Sequence, residues 1–303
     1  MCGDNPMKDR KSAPSFGNLL ERMRRRPTLT TPPLLYHYTQ RAAVEGIISS
    51  KSLWATEARL LEDPFEIRYG FELAQEILTD ELRQAKSIGK KSMQACLEVG
   101  LAEMNLVNDC SADAYVACFC AKPNHEPQYN KFGPYQIEFD LSPLQGAFPL
   151  RSTATCRYLR LEQVLYEPDL QRQRLRRVLQ RVRETTEEFE NLGIAFLCDS
   201  LLEQALTPWI YVVKRPIFAE EHEWRVVFLP KMDDWWSRYE TSTGMNTKLN
   251  NRGQQVRYVE LASNGSTLPM KSITCGPGSD PDFQAEQIRR LLSEHCFGDV
   301  STE

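Results

Sequence analysis

Alternation of apolar and polar positions with period two marks the strands of this chain, and recurrence at three and four residues marks its helices. Behind Pro32-Pro33, the run Leu34-Leu35-Tyr36-His37-Tyr38-Thr39 reads as a strand with His37 and Thr39 on one side and Tyr36 and Tyr38 on the other. A short helix follows, with Ala43, Val44, Ile47 and Ile48 at helical spacing, and then a second extended piece, Leu53-Trp54-Ala55-Thr56. Ile67, Phe71, Ala74 and Leu78 form the stripe of a longer helix, and residues 80–110 continue helical past a break at Gly89-Lys90-Lys91. Tyr115–Cys120 is apolar on both faces, as a central strand requires, whereas Tyr135–Asp140 alternates like a half-exposed one.

Arg157–Tyr166 is a further strand region, and Asp169–Asn191 is a long amphipathic helix on Leu175, Val178, Leu179 and Val182. Residues 194–213 are apolar and helical, leading into Trp209-Ile210-Tyr211-Val212-Val213. Strands are expected at 218–229, 256–261 and 272–275, and a terminal helix from Asp280-Pro281 carries Ile288, Leu291 and Leu292. The polar stretch 232–251 reads as a mobile insertion. Helices and strands come in groups rather than strict alternation. The expectation is an α+β fold, a mixed or mainly antiparallel sheet flanked by helices, in one large domain over 31–300.

Composition changes this picture little. At 303 residues, with 41% hydrophobic and 26% charged positions, the chain can bury a substantial core. A net charge of −4 supplies no bulk attraction to nucleic acid or anionic membrane. There is no membrane-length apolar run and no secretory h-region, so the reading is a cytoplasmic protein that does not engage a membrane. Nine cysteines at irregular spacing contain no Cys-x-x-Cys pair, which points to buried thiols in a reducing compartment and to no zinc site. Residues 1–30 read as a disordered basic arm around Arg22-Met23-Arg24-Arg25-Arg26.

Candidate chemistry concentrates at Phe218–Leu229. With period two, Glu221, Glu223 and Arg225 share one strand face, while Trp224, Val226 and Phe228 share the other. Two carboxylates and an arginine on one face are either a site or, for Glu221 and Arg225, an ion pair with each other or across the sheet. His37 is either a ligand-holding residue or a core histidine satisfied by hydrogen bonds. Asp63, Pro64 and Glu66 have the spacing of a helix cap, which accounts for both carboxylates without function. A divalent-metal hydrolase or nuclease using Asp63, Glu66, Glu221 and Glu223 is a weaker alternative, because no spacing specifies a metal site. His125 and His295 lack a partner pattern, and His222 falls on the Trp224 side.

The ordered landmarks Tyr36-His37-Tyr38-Thr39, Leu53-Trp54-Ala55-Thr56, Leu61–Glu66, Cys118-Phe119-Cys120, Tyr129–Gly133, Phe139-Asp140, Val164-Leu165-Tyr166, Phe218–Arg225 and Cys275-Gly276-Pro277 resemble a bacterial family, domain of unknown function 2971. The resemblance spans nearly all of the chain after residue 33. It departs from the family at Glu62 (usually Asn), Cys120 (usually Ser), and Tyr129 and Phe132 (usually Trp and Tyr). The opening Tyr-His-Tyr-Thr, a middle aromatic and a late Glu-x-Glu are more distantly similar to ADP-ribosyltransferases. That resemblance implies an enzyme or toxin that uses NAD to modify a macromolecular acceptor, nucleic acid or protein, with a neutralising or recruiting protein partner. His37 would hold NAD, with Tyr38 or Tyr129 near nicotinamide and Arg225 on a phosphate. Glu223 would be the catalytic carboxylate, stabilising an oxocarbenium-like transition state, and Glu221 the acceptor-side base. The rival is a non-catalytic ligand-sensing or partner-binding module of the same fold.

Overall fold

Tyr115–Cys120 (β3) is apolar on both faces because it is paired along both edges and covered on both sides. In this computed structural model the described residues are 34–60, 64–107, 114–142, 149–152, 154, 156–192, 198–230, 245–249, 253, 255–263, 267–277 and 280–302. One edge of β3 pairs along its full length with Glu223–Pro230 (β7), which pairs in turn with Cys156–Gln163 (β6). The other edge is shared. Leu35–Thr39 (β1) meets it at Cys120, and Ser52–Glu57 (β2) meets it at Val116 and Tyr115. The sheet therefore forks along β3.

One wing continues from β1 through Tyr135–Phe139 (β4) and Met270–Cys275 (β10) to Ser301–Thr302 (β11). The other continues from β2 to Gln255–Ser263 (β9), whose far edge carries Leu150–Ser152 (β5) and Met245–Leu249 (β8). Among the described strands every pairing is antiparallel except β10–β11. The result is an α+β domain with a mixed, mainly antiparallel sheet flanked by helices.

Pleating sorts the side chains into two cores. On one face Val116, Val227 and Leu229 pack beneath Pro64–Ser87 (α2), Lys91–Val107 (α3), Pro168–Leu192 and Cys198–Ile210, with Phe71, Leu97, Leu179 and Trp209. On the other, Tyr115, Phe119, Ile137, Trp224 and Phe228 pack beneath Arg41–Ser50 (α1) and Pro281–Glu294, with Ile48 and Leu292. A small aromatic cluster of Tyr36, Tyr38, Cys120 and Tyr129 lies at the β1 end of the first face, where Tyr129 comes from the short helix Glu126–Phe132 (α4). In chain order, Pro168–Leu192 is α5, Cys198–Ile210 is α6 and Pro281–Glu294 is α7.

Two expectations are corrected. Tyr135–Phe139 is not half-exposed, because β1 and β10 occupy both of its edges and its polar Gln136 is buried. Part of the expected insertion is ordered: Met245–Leu249 is a strand whose polar pattern suits its place at the rim, where β9 supplies its hydrogen bonds. Residues 1–33, 61–63 and 231–244 lie outside the described residues, and with them the basic arm, Asp63 and Trp235-Trp236. Glu66 is within α2, but its side chain is also outside them.

Gly70 lets α2 approach the end of α6. A Cβ there would stand 2.4 Å from the Ile210 carbonyl oxygen, and backbone cannot rotate out of the way. Gly70→Ala is expected to destabilise the fold by about 1–3 kcal/mol, the usual scale for overpacking, as read from the urea midpoint.

Candidate functional site

The carboxylates of the late Glu-x-Glu are brought together by a turn rather than by a common strand. Pro216–Glu221 is a 3₁₀ helix, and His222 then adopts a left-handed conformation (φ 46°) before β7 begins at Glu223. This turn folds Glu221 back over Lys214. Lys214 Nζ lies 2.5 Å from Glu221 Oε2 and 3.2 Å from Glu223 Oε2, and Lys131 Nζ from α4 closes the rim 3.1 Å from Glu221 Oε1. Arg225 grips Glu223 with both arms, its Nε donating to Oε1 and its Nη2 to Oε2, each at 2.8 Å. The remaining Nη1 donates to the Tyr211 carbonyl at 2.8 Å. The Glu223 backbone N–H donates to the Tyr166 hydroxyl.

Arg225 is 1% exposed and Glu223 is 7% exposed. Burial alone would raise the Glu223 carboxyl. The Arg225 charge, then Lys214, then hydrogen bonds from Arg225 and Cys118 outweigh it and hold the group down at about 2. A carboxylate so fully satisfied is a poor stabiliser of a new positive charge, because its field is already spent on two cations. Arg225 is thus ion-paired within the sheet, but with Glu223 rather than with the expected Glu221, which Lys214 and Lys131 take instead. Arg225 has its guanidinium committed to Glu223 and Tyr211 rather than presented to a phosphate.

His37 does not join this cluster. Tyr36, Cys120 and Glu223 are successive cross-strand partners and share one face, so His37 belongs to the other. Its ring packs against Phe119, and its Nδ1 lies 2.9 Å from the Cys118 carbonyl, at the point on β3 where β1 and β2 part. Burial lowers its pKa, the Cys118 hydrogen bond opposes this, and the Lys248 charge lowers it further. The imidazole is therefore neutral at pH 7, and donation from Nδ1 leaves its lone pair on Nε2. The expected single cleft holding both His37 and Glu223 is not formed, because one-residue alternation puts the two on opposite sides of the pleat.

Tyr38 and Tyr129 are brought together, edge to face at 4.9 Å, on the Glu223 side. The Tyr38 hydroxyl donates within reach of the Lys122 carbonyl and Gln136 Oε1 and accepts from the His125 N–H. The Tyr129 hydroxyl donates to Asn124 Oδ1, and its burial pushes the phenol up to about 12. Both rings are buried and hold the 121–125 loop in place. Of the four carboxylates of the metal reading, Glu221 and Glu223 are compensated by Lys214 and Arg225, while Asp63 and the Glu66 side chain lie outside the described residues.

No family model, curated protein or solved structure matches this chain. Its own geometry must carry the functional argument. Two groupings escaped the sequence. Trp54 of β2 and Tyr258 of β9 stack at 4.6 Å, diagonal neighbours across the strand pair, and Lys248 of β8 sits over them, 4.6 Å from the Trp54 ring centroid and 5.5 Å from that of Tyr258. All three are half-buried, and burial lowers the pKa of Lys248. Among the described residues the buried Trp54 Nε1 has no hydrogen-bond partner. Trp54 was visible as part of a strand, but its meeting with Tyr258 and Lys248 depends on a register some 200 residues away that no local pattern encodes. The second grouping joins His125 with Glu220 and His222.

Removing one arm of the buried pair should be costly. Arg225→Ala leaves Glu223 buried and uncompensated on its main side, and a loss of about 3–5 kcal/mol is expected, measured by denaturant unfolding at neutral pH. Because the folded Glu223 pKa is depressed, its contribution is fully present above the ordinary value of 4.5 and declines as pH falls toward about 2. Glu223→Gln should flatten that part of the acid-unfolding profile.

Proposed function

We propose that this protein is a ligand-binding module for an anionic, ring-bearing ligand of the nucleotide class, taken beside the fork in the sheet, and that it does not turn the ligand over through Glu223. The observation that favours binding over transfer is the bidentate grip of Arg225 on a buried Glu223, across the sheet from His37. Trp54 and Tyr258 supply an aromatic pair, Lys248 over them supplies a partly desolvated ammonium for phosphate, and the buried Trp54 Nε1 has no partner among the described residues. Base stacking on aromatic rings next to a cation is the usual chemistry of nucleotide capture. His37 stands within electrostatic reach of Lys248, so the resemblance to NAD-using enzymes and the aromatic–basic patch point to neighbouring parts of the molecule. NAD is the first ligand to try on this reading.

The test joins binding to turnover. Titration of the full chain with NAD, followed by calorimetry and tryptophan fluorescence, should give saturable binding that weakens about tenfold in Lys248→Ala, as loss of one charge-assisted contact predicts. In the same preparation with cell lysate as acceptor, nicotinamide should not be released by wild type or by Glu223→Gln. Release by wild type that vanishes in Glu223→Gln would overturn this reading in favour of the ADP-ribosyltransferase one. No binding of NAD or of other nucleotides would remove the nucleotide class.

A further inference from the structure

Two imidazoles and a carboxylate meet where the loop after β3 approaches the turn before β7. His125, Glu220 and His222 each offer one ligand atom, and these atoms lie within 4.8 Å of one another. The His125 and His222 rings stand edge to face with centroids 5.9 Å apart. His125 Nδ1 and His222 Nε2 are both buried and, among the described residues, both lack a hydrogen-bond partner. Glu220 Oε2 is 3.8 Å from His222 Nε2, beyond hydrogen-bond length, and the Glu220 side chain is 86% exposed and free to rotate. Buried ring nitrogens left unsatisfied cost free energy. Two imidazoles with such nitrogens, standing together beside an exposed carboxylate, form a donor set that a common partner would satisfy.

The frame around the set is fixed. The His222 carbonyl accepts from the Ala121 N–H at 3.0 Å, and the His125 N–H donates to the Tyr38 hydroxyl at 2.9 Å. The left-handed backbone of His222 sends Glu221 back to Lys214 and leaves Glu220 on the outer side with the imidazoles.

We propose that His125, His222 and Glu220 form a binding site for a transition-metal dication of the zinc class. Imidazole nitrogen with carboxylate oxygen suits that class rather than magnesium or calcium, which take oxygen. Metal–ligand bonds of about 2.1 Å place tetrahedral donors about 3.4 Å apart, so groups within 4.8 Å of one another must close by up to about 1.4 Å, which the exposed Glu220 and ring rotations supply. Three protein ligands leave at least one position open to water or an exogenous ligand. The site is separate from the Lys214–Glu223 network and from the Trp54 patch, and it does not depend on the nucleotide reading.

The full chain, stripped with a chelator, would be titrated with Zn²⁺ by calorimetry beside His125→Gln and His222→Asn. Asn tolerates the left-handed backbone at 222, and unchanged circular dichroism and thermal midpoint would show that both variants fold. Wild type should bind one equivalent, and each variant should bind at least about tenfold more weakly, on the scale by which disturbing a metal's ligand shell lowers affinity. The ring resonances of His125 and His222 should move on addition of Zn²⁺, while those of His37 stay put. The chain has nine cysteines, so the titration is repeated after thiol blocking. Binding equal in all three proteins, or binding lost on thiol blocking with the two imidazoles unmoved, would overturn the proposal.

Discussion

A guanidinium and a carboxylate sit two residues apart on one strand face with almost no access to solvent, and that pair constrains everything around it. Arg225 and Glu223 are tolerated there because their charges are paired and each guanidinium nitrogen makes a hydrogen bond. Tyr211 from the segment after α6 takes the third guanidinium donor, and Lys214 shares the carboxylate. The segment 209–215 is thus locked onto β7 by charge as well as by packing. The same interaction engages the Glu223 carboxylate with two cations, Arg225 and Lys214. What looks in one dimension like a reactive pair of glutamates is in three dimensions a neutralised joint between a helix end and a sheet.

The second organising feature is the fork on β3. Because β1 and β2 each take only part of one edge, the backbone of Cys118 is left between them, and the His37 ring fills the gap by hydrogen bonding to its carbonyl. A histidine is well fitted to this place, since a neutral imidazole satisfies a buried acceptor and still packs its ring on Phe119. Lys248, Trp54 and Tyr258 gather along the β2 wing of the same fork. The molecule's polar interest is therefore distributed around the divergence of two strands rather than concentrated on the strand with the most charges.

The α+β class, most of the longer strands and helices, and the burial of Trp224, Val226 and Phe228 were legible in the sequence, because period and composition are local signals, whereas the short helix Glu126–Phe132, expected as a loop, was not. The sharing of one face by Glu223 and Arg225 was legible for the same reason. The partners of those residues were not. Glu221 and Glu223 meet on Lys214 across a left-handed residue at His222, and a histidine in that conformation gives no warning in a one-dimensional reading. The opposition of His37 and Glu223 depends on the register of two strand pairings, which a single sequence does not encode locally. Met245–Leu249 was hidden by its polarity, since an edge strand needs hydrogen bonds from a neighbour more than it needs apolar side chains. His125 and His222 stand 97 positions apart, and their meeting has no sequence signature at all.

The shared strand also dictates the order in which the chain can fold as it is made. β3 finds partners for one edge in β1 and β2, already synthesised, but the other edge waits for β7, more than a hundred residues later. β2 waits longer still, for β9. Contacts of such separation form slowly, since a long loop must close before any of them is gained. Until Gln255–Ser263 leaves the ribosome, the N-terminal strands have open hydrogen-bonding edges flanked by Leu53, Trp54 and Phe119. It is during synthesis, more than in the finished protein, that this chain is most exposed to pairing with the wrong neighbour.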